Sequence, residues 1–212
     1  MKEIFKNVKE KLVAKYLEDN SSKSTKKFKT RIKARIRKNK KIINLGINNF
    51  FDWVKGAELV SLKECDTSED PVRPELSNEF RTSYGRKIYG VKYKNEIHAI
   101  MCFAFTNNIP KSVKELEDFS KDAFLQSALR GQNVGKIAIA YTVWSKKKGG
   151  GKLIVKEVFK MIKKSNHLNR LVTLSPLTDM ATKFHLRNKA KLISVNETTQ
   201  NFEYKVIKNK KY

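Results

Sequence analysis

The sequence predicts an α/β (α+β) domain with a mixed, mostly antiparallel central sheet flanked by helices, behind a basic helical N-terminal extension. Three observations predict it. Residues 136–164 read as an apolar strand, a glycine turn and an amphipathic helix in direct succession. Residues 86–105 read as a β-hairpin. Residues 171–207 read as a short strand, a helix and a second hairpin, so strands and helices are interleaved along the chain as in an α/β (α+β) domain. At 212 residues, 40% of them hydrophobic, the chain can build one such domain plus an extension.

The extension comes first in the chain. Over residues 3–17, Ile4, Phe5, Val8, Leu12 and Tyr16 recur at helical spacing between lysines and glutamates, which predicts one amphipathic helix. Asn20, Ser21, Ser22, Ser24 and Thr25 break it. A second helical pattern follows through Phe28, Ile32 and Ile36, set among closely spaced lysines and arginines. Residues 1–45 hold 16 Lys and Arg against 4 Asp and Glu, a balance of +12 out of the formal net charge of +25. Such a segment is either the solvated face of a packed helix or, through residues 23–41, an arm for a polyanion such as nucleic acid. Lysine outnumbers arginine, which argues against specific base readout, and aromatics here are too few for a base-stacking platform.

From Ile42 the texture changes, because Ile42, Ile43, Leu45, Ile47, Phe50, Phe51 and Trp53 form a dense apolar segment. The domain boundary is therefore drawn between an extension over 1–45 and a main domain over 46–212. Residues 57–63 read as a strand, and residues 66–78, with Pro71 and Pro74, as a loop. The strands over 86–94 and 96–105 are rich in β-branched and aromatic residues and are separated by the turn pair Lys94-Asn95. After Pro110, Ser112 and Glu115 stand at capping-box spacing ahead of Leu116, Phe119, Phe124 and Leu125, which predicts a helix. The strand over 136–144, the glycine turn over 145–151 and the helix over 152–164 follow. A strand over 171–174, a helix over 179–188 and a hairpin around Glu197-Thr198-Thr199 complete the order.

Composition excludes several classes. Cys65 and Cys102 are the only cysteines, with no CxxC and no histidine-rich partner segment, so free thiols in a reducing compartment are expected and no metal site is. No apolar run approaches the length of a membrane span, and the first residues lead into no signal-peptide segment, so a cytoplasmic location is expected. His98 lies between Ile97 and Ala99 in a strand, where packing explains it. His167 sits in a polar turn.

A glycine-rich turn between a strand and a helix N-terminus leaves backbone N–H groups converging where the helix dipole adds positive potential, and such a site suits a phosphate. Residues 145–151 have this form, with Lys146, Lys147, Lys148, Gly149, Gly150, Gly151 and Lys152 as candidate binding residues; a plain surface turn is the alternative. Leu153 after Gly151-Lys152 excludes a Walker A loop. The spacing Lys146-x-x-Gly149-x-Gly151 resembles the Gln/Arg-x-x-Gly-x-Gly/Ala pyrophosphate loop of the GNAT acyltransferase superfamily, and the order of elements is similar too. The resemblance implies that residues 46–212 are a GNAT-like acyl-CoA-binding domain. Tyr141 and Thr142, on the strand before the loop, then line the thioester groove or serve ordinary packing.

A more particular resemblance lies between Lys136 and Val206, where the chain resembles the catalytic domain of malonyl-CoA decarboxylase, itself of GNAT fold. IAIAYTVW with the glycine turn and KLIVKEVFKMIKK resembles that family's strand and CoA-loop helix. LVTLSPL resembles its Ser-Leu-Ser-Pro-Ile-Pro segment, and KFHLRNKAKLISVN its Phe-His-Leu-Arg-Asn-Gly-Ala motif with the following strand. Here the Ser-Pro and His-Leu-Arg-Asn motifs lie ten residues apart rather than across a long helical segment, and Lys189 replaces the motif's glycine. The resemblance implies that Ser175 and His185 are the catalytic pair at the acyl end. Loss of carbon dioxide from a malonyl thioester leaves an enolate, which needs hydrogen bonds to its oxygen and a proton at carbon; a hydroxyl and an imidazole can divide that work. The residues themselves also allow His185 to pack at a helix end and Ser175 to bond local backbone before Pro176.

The expected substrate is a coenzyme A thioester, malonyl-CoA or acetyl-CoA, with no metal. Two other functions fit the sequence: a GNAT-type N-acetyltransferase, and a non-catalytic basic protein associated with nucleic acid or an assembly.

Overall fold

The computed structural model describes residues 55–131 and 135–206, together with Ala34, Arg37, Asp52 and Trp53. The chain divides into two compact units, Met1–Trp53 and Val54–Tyr212. The expected helix over 3–17, the apolar run from Ile42 to Phe51 and nearly all of the basic arm lie outside the described residues; Ala34 and Arg37, within the second expected helix, are helical and exposed.

The elements of the second unit follow the expected order. They are β1 (Glu58–Leu62), α1 (Asn78–Thr82), β2 (Lys87–Tyr93), β3 (Glu96–Thr106), α2 (Val113–Arg130), β4 (Ile137–Ser145), α3 (Gly150–Lys164), β5 (Arg170–Thr173), β6 (Ser175–Pro176), α4 (Asp179–Arg187), β7 (Lys191–Val195) and β8 (Thr199–Tyr204). One sheet runs in the order β1-β2-β3-β4-β5-β8-β6, with β7 also on β8. Among the described strands only β4 and β5 pair in parallel. The hairpins β2-β3 and β7-β8 join antiparallel neighbours, whereas β4 reaches β5 through the helical crossover α3.

Local signals act where they were read. Lys94 and Asn95 both take positive φ, 49° and 65°, as a two-residue hairpin turn between right-twisted strands demands. The Ser112 side chain accepts from Glu115 N at 3.1 Å and caps α2. The returning arm of the cap is shifted by one residue, because the Glu115 carboxylate accepts from Lys111 N at 2.8 Å.

One expectation needs correction. The loop over 66–78 contains a 3-10 turn, Thr67–Glu69, and ends at Ser77, whose side chain caps the short helix α1. On α2, Leu116 is buried whereas Phe124 and Leu125 are exposed.

Alternation assigns the two faces of the sheet. Ile100, Cys102 and Ala104 of β3 share a cluster with Leu116 of α2, whereas Ala99, on the opposite face, approaches Gly150 of α3. Helices α2 and α3 therefore cover opposite faces, and β4, central between them, is buried along nearly its whole length. Leu153, Ile154, Val158 and Ile162 form the buried stripe of α3.

Candidate functional site

The site begins with a defect in the ladder. Phe103 pairs with Ala140 and Cys102 with Thr142, so Tyr141 is the extra residue of a β-bulge. A bulge bends its strand and turns both bulged residues toward one face. On the other side of β4, parallel pairing with β5 ends at Ala140 and Thr173, with a last bond from Leu174 N to Ala140 O of 2.9 Å. β4 continues to Ser145, whereas the chain beyond Leu174 leaves β4 and keeps the register on β8 that β5 already holds. The two strands diverge, and a cavity of about 700 Å³ fills the fork.

One end of that cavity reaches the glycine turn, where it is lined by Ser145, Lys146 and Gly151. The helix starts at Gly150 rather than at the expected Lys152, with Gly149 as N-cap at φ 88°. Intrahelical bonding begins with Leu153 N to Gly149 O, so the Gly151 and Lys152 amides have no intrahelical acceptor and Gly149 supplies no capping side chain. Close packing explains the glycines. A Cβ on Gly150 would stand 3.0 Å from Ser145 Cβ and 3.1 Å from His98 O; one on Gly151 would stand 3.0 Å from the Phe184 ring. The lysines are not equivalent: Lys146 Nζ pairs with Glu69 at 2.6 Å, and Lys147 Nζ lies over the Tyr93 ring. Lys148 and Lys152 are exposed.

At the other end Ser175 and His185 meet. Ser175 Oγ lies 2.8 Å from His185 Nε2 and 3.0 Å from Thr173 Oγ1. His185 Nδ1 lies 2.9 Å from the Tyr204 hydroxyl, and its ring stacks on Phe202 at 4.9 Å between centroids. Burial lowers the His185 pKa to about 4, so the imidazole is neutral near pH 7 and carries one N–H. Its hydrogen bonds therefore run in one direction, either from Tyr204 O–H through Nδ1 and Nε2–H to Ser175, or from Ser175 O–H through Nε2 and Nδ1–H to Tyr204. Burial likewise raises the Tyr204 phenol pKa.

The expected groove residues behave differently. Tyr141 and Thr142 both border the cavity. Yet the Tyr141 hydroxyl is buried with no hydrogen-bond partner, its ring edge-on to Phe80, and the Thr142 hydroxyl donates to Asp70 at 2.8 Å. The bulge turns both toward the core.

Sequence reasoning missed two features. Tyr204 carries a readable signal, since it alternates with Phe202 on one face of β8. The other is a buried polar network under the fork, built from a segment that reads as a polar loop. Arg81 pairs with Asp70 at 2.8 Å, both side chains fully buried, and also donates to Arg73 O and to Leu76 O. Arg73 Nε donates to Tyr141 O and its Nη2 to Leu174 O, each at 2.9 Å.

The remaining candidates lie elsewhere. His167 sits in an exposed turn with Ser165, and His98 lies against Tyr93 and Glu96. Cys65 and Cys102 are free thiols. Among the described residues no group of three or more His, Cys, Asp or Glu could hold a metal, and no helix is long and apolar enough to cross a membrane.

No family model and no curated protein matches the sequence. Solved structures do match. A malonyl-CoA decarboxylase from Agrobacterium vitis is similar with a TM-score of 0.55 and 13% identity, over 74% of this chain and 63% of that one. The chain thus spans less than two thirds of that decarboxylase. The GphF GNAT-like decarboxylase in complex with isobutyryl-CoA has a TM-score of 0.56 at 9% identity, over 71% of this chain and 100% of that one. The loading GNATL domain of CurA from Lyngbya majuscula has a TM-score of 0.50 at 12% identity, over 71% and 98%. The forked sheet, the crossover helix that starts at a glycine turn and these three likenesses agree: residues 55–131 and 135–206 have a GNAT-like fold.

Proposed function

We propose that the chain binds an acyl-CoA thioester in the fork between β4 and β5 and releases carbon dioxide from a malonyl-type acyl group at Ser175 and His185. One observation carries the reading: a single cavity is lined at one end by the first turn of α3 and at the other by a hydroxyl and an imidazole 2.8 Å apart. The Gly151 and Lys152 amides and the α3 dipole suit the diphosphate, with Lys147, Lys148 and Lys152 supplying positive charge nearby. The β4 edge beyond Ala140 offers main-chain groups to the amide-bearing pantetheine arm. Tyr141 and Thr142 contribute backbone there.

At the acyl end, the bond to the carboxylate carbon breaks and its electron pair moves into the thioester, forming an enolate as carbon dioxide leaves; a proton then joins the carbon. Ser175 O–H and the imidazole N–H are donors for the oxygen that gains charge. Tyr204, bonded to Nδ1, orients the ring, and the direction of that bond fixes which nitrogen holds the proton. Two solved structures that share the fold are of decarboxylases, and the FHLRN motif, which contains His185, resembles a decarboxylase motif.

The test is direct. The purified chain is incubated with malonyl-CoA, and CoA species are followed by mass spectrometry. Acetyl-CoA is expected, with the rate falling roughly a hundredfold or more in Ser175→Ala and in His185→Ala while CoA binding persists. No acetyl-CoA from the wild-type chain, or unchanged rates in both variants, would overturn the reading. Free CoA that depends on an added amine marks N-acetyl transfer instead. Absence of both reactions, together with DNA binding that weakens steeply with salt, marks a non-catalytic basic protein.

A further inference from the structure

The parallel ladder between β4 and β5 stops at one particular place, and a side chain occupies it. Leu174 N gives the last bond, to Ala140 O. Were the ladder to continue, Leu174 O would accept from an amide of β4. Instead Leu174 O accepts from Arg73 Nη2, and Tyr141 O, exposed by the bulge, accepts from Arg73 Nε, both at 2.9 Å. The guanidinium is planar, so two bonds from one edge of it define the separation of the two strands where they part. A lysine could meet only one carbonyl with comparable direction.

Arg73 is itself held firmly. Its N–H donates to Asp70 Oδ1 at 3.2 Å, and its carbonyl accepts from Arg81 Nη2 at 2.7 Å. Asp70 also receives the Thr142 hydroxyl, which ties β4 to the same carboxylate. Pro71 and Pro74 flank the arginine and restrict its backbone. Asp70 is paired with Arg81, while both side-chain bonds of Arg73 go to carbonyls. Those carbonyls belong to the peptide units whose N–H groups are those of Thr142 and Ser175. A charged donor on a carbonyl polarises its peptide and strengthens the N–H as a donor.

We propose that Arg73 is a positioning residue for the thioester end of the groove: it fixes the width of the fork and acts through the Tyr141–Thr142 and Leu174–Ser175 peptides on the site beside Ser175. The inference rests on the acyl-CoA reading above but has a test of its own. Arg73→Lys keeps the charge and loses the two-point contact; Arg73→Gln keeps a planar donor without charge. Amide hydrogen exchange is measured in the free protein for peptides covering 141–145 and 173–176, with 87–93 as internal control, alongside thermal unfolding and malonyl-CoA kinetics.

In Arg73→Lys, exchange in the two fork peptides is expected to rise roughly tenfold or more with the control unchanged, and kcat to fall by roughly tenfold or more with KM held within about twofold. A residue that only stabilised the core would accelerate exchange in fork and control alike. Wild-type exchange at the fork in Arg73→Lys would overturn the proposal whatever the kinetics. Uniform acceleration, or loss of the folded state in both variants, would overturn it too. A wild-type chain that turns over no malonyl-CoA overturns the reading of the previous subsection, and the exchange result then decides the role of Arg73 alone.

Discussion

His185 Nδ1 stands 2.9 Å from the Tyr204 hydroxyl, while Nε2 of the same ring stands 2.8 Å from Ser175 Oγ, so the imidazole is held at both nitrogens between β6 and β8. Phe202 stacks on the ring and Phe184 meets it edge-on at 5.1 Å. Two polar contacts and two aromatic walls leave the ring one orientation, and their apolar parts account for its lowered pKa.

That burial makes stability depend on pH. His185 has a pKa of about 4 folded against 6.5 for the exposed group, so between those values the unfolded chain binds the extra proton. The stabilisation is complete above pH 6.5 and is lost as pH falls toward 4, by about 3 kcal/mol. Urea unfolding between pH 4 and 7 is expected to show this slope, and His185→Gln to flatten it. Malonyl-CoA turnover, where observed, should be level near neutrality and fall below about pH 5 as the ring charges.

Tyr204→Phe removes one oxygen and keeps the ring. Nδ1 then loses its buried partner, which is expected to cost about 1–3 kcal/mol of stability. The proton is no longer assigned to one nitrogen, so imidazole ¹⁵N resonances should shift toward a mixture of tautomers and turnover should fall roughly tenfold. A variant with unchanged ¹⁵N resonances would show that Tyr204 does not set the tautomer.

Lys189 takes φ 68°, in the left-handed region, directly after the α4 C-cap residue Asn188, and Ala190 N returns to His185 O at 3.0 Å. Glycine adopts this conformation without strain, and the resembling decarboxylase motif has glycine there. Lys189→Gly is therefore expected to stabilise the chain by about 1 kcal/mol, visible as a raised Tm.

Gly150 and Gly151 should separate stability from binding. A methyl group on Gly150 meets Ser145 Cβ, His98 O and Ala99 Cβ within 3.2 Å, much of it rigid sheet, so Gly150→Ala is expected to cost about 1–3 kcal/mol in urea unfolding. The Gly151 methyl group meets the movable Phe184 ring and the rim of the cavity. Gly151→Ala is expected to cost less stability and to weaken CoA binding more, as measured by calorimetry.

Much of the fold was legible because its signals are local. Alternation along β3 and β4, the Lys94-Asn95 turn, the Ser112 cap and the 3.6-residue stripe of α3 each lie within a few residues of one another. Helix α1 escaped because five residues hold too little periodicity. The sequence pattern starts α3 two residues late because glycine disfavours helix interiors, whereas Gly150 and Gly151 open the helix where side chains would clash with β3, β4 and α4. Ser175 and His185 were visible as residue types in motifs. Tyr204 carries only its alternation with Phe202 along β8, which marks the face it lies on but not the role of its hydroxyl.

By itself the sequence determined the order of elements, the mixed sheet and the glycine-led crossover, since each follows from the conformational preferences and burial of neighbouring residues. Only the tertiary structure decided the fork. The Tyr141 bulge is a property of register between two strands, the Arg73 bridge joins residues 68 and 101 positions apart, and Asp70 reaches Thr142 across 72. Long-range buried polar contacts leave no periodic trace. They form because a buried guanidinium or carboxylate must find partners once the apolar faces have brought the chain together.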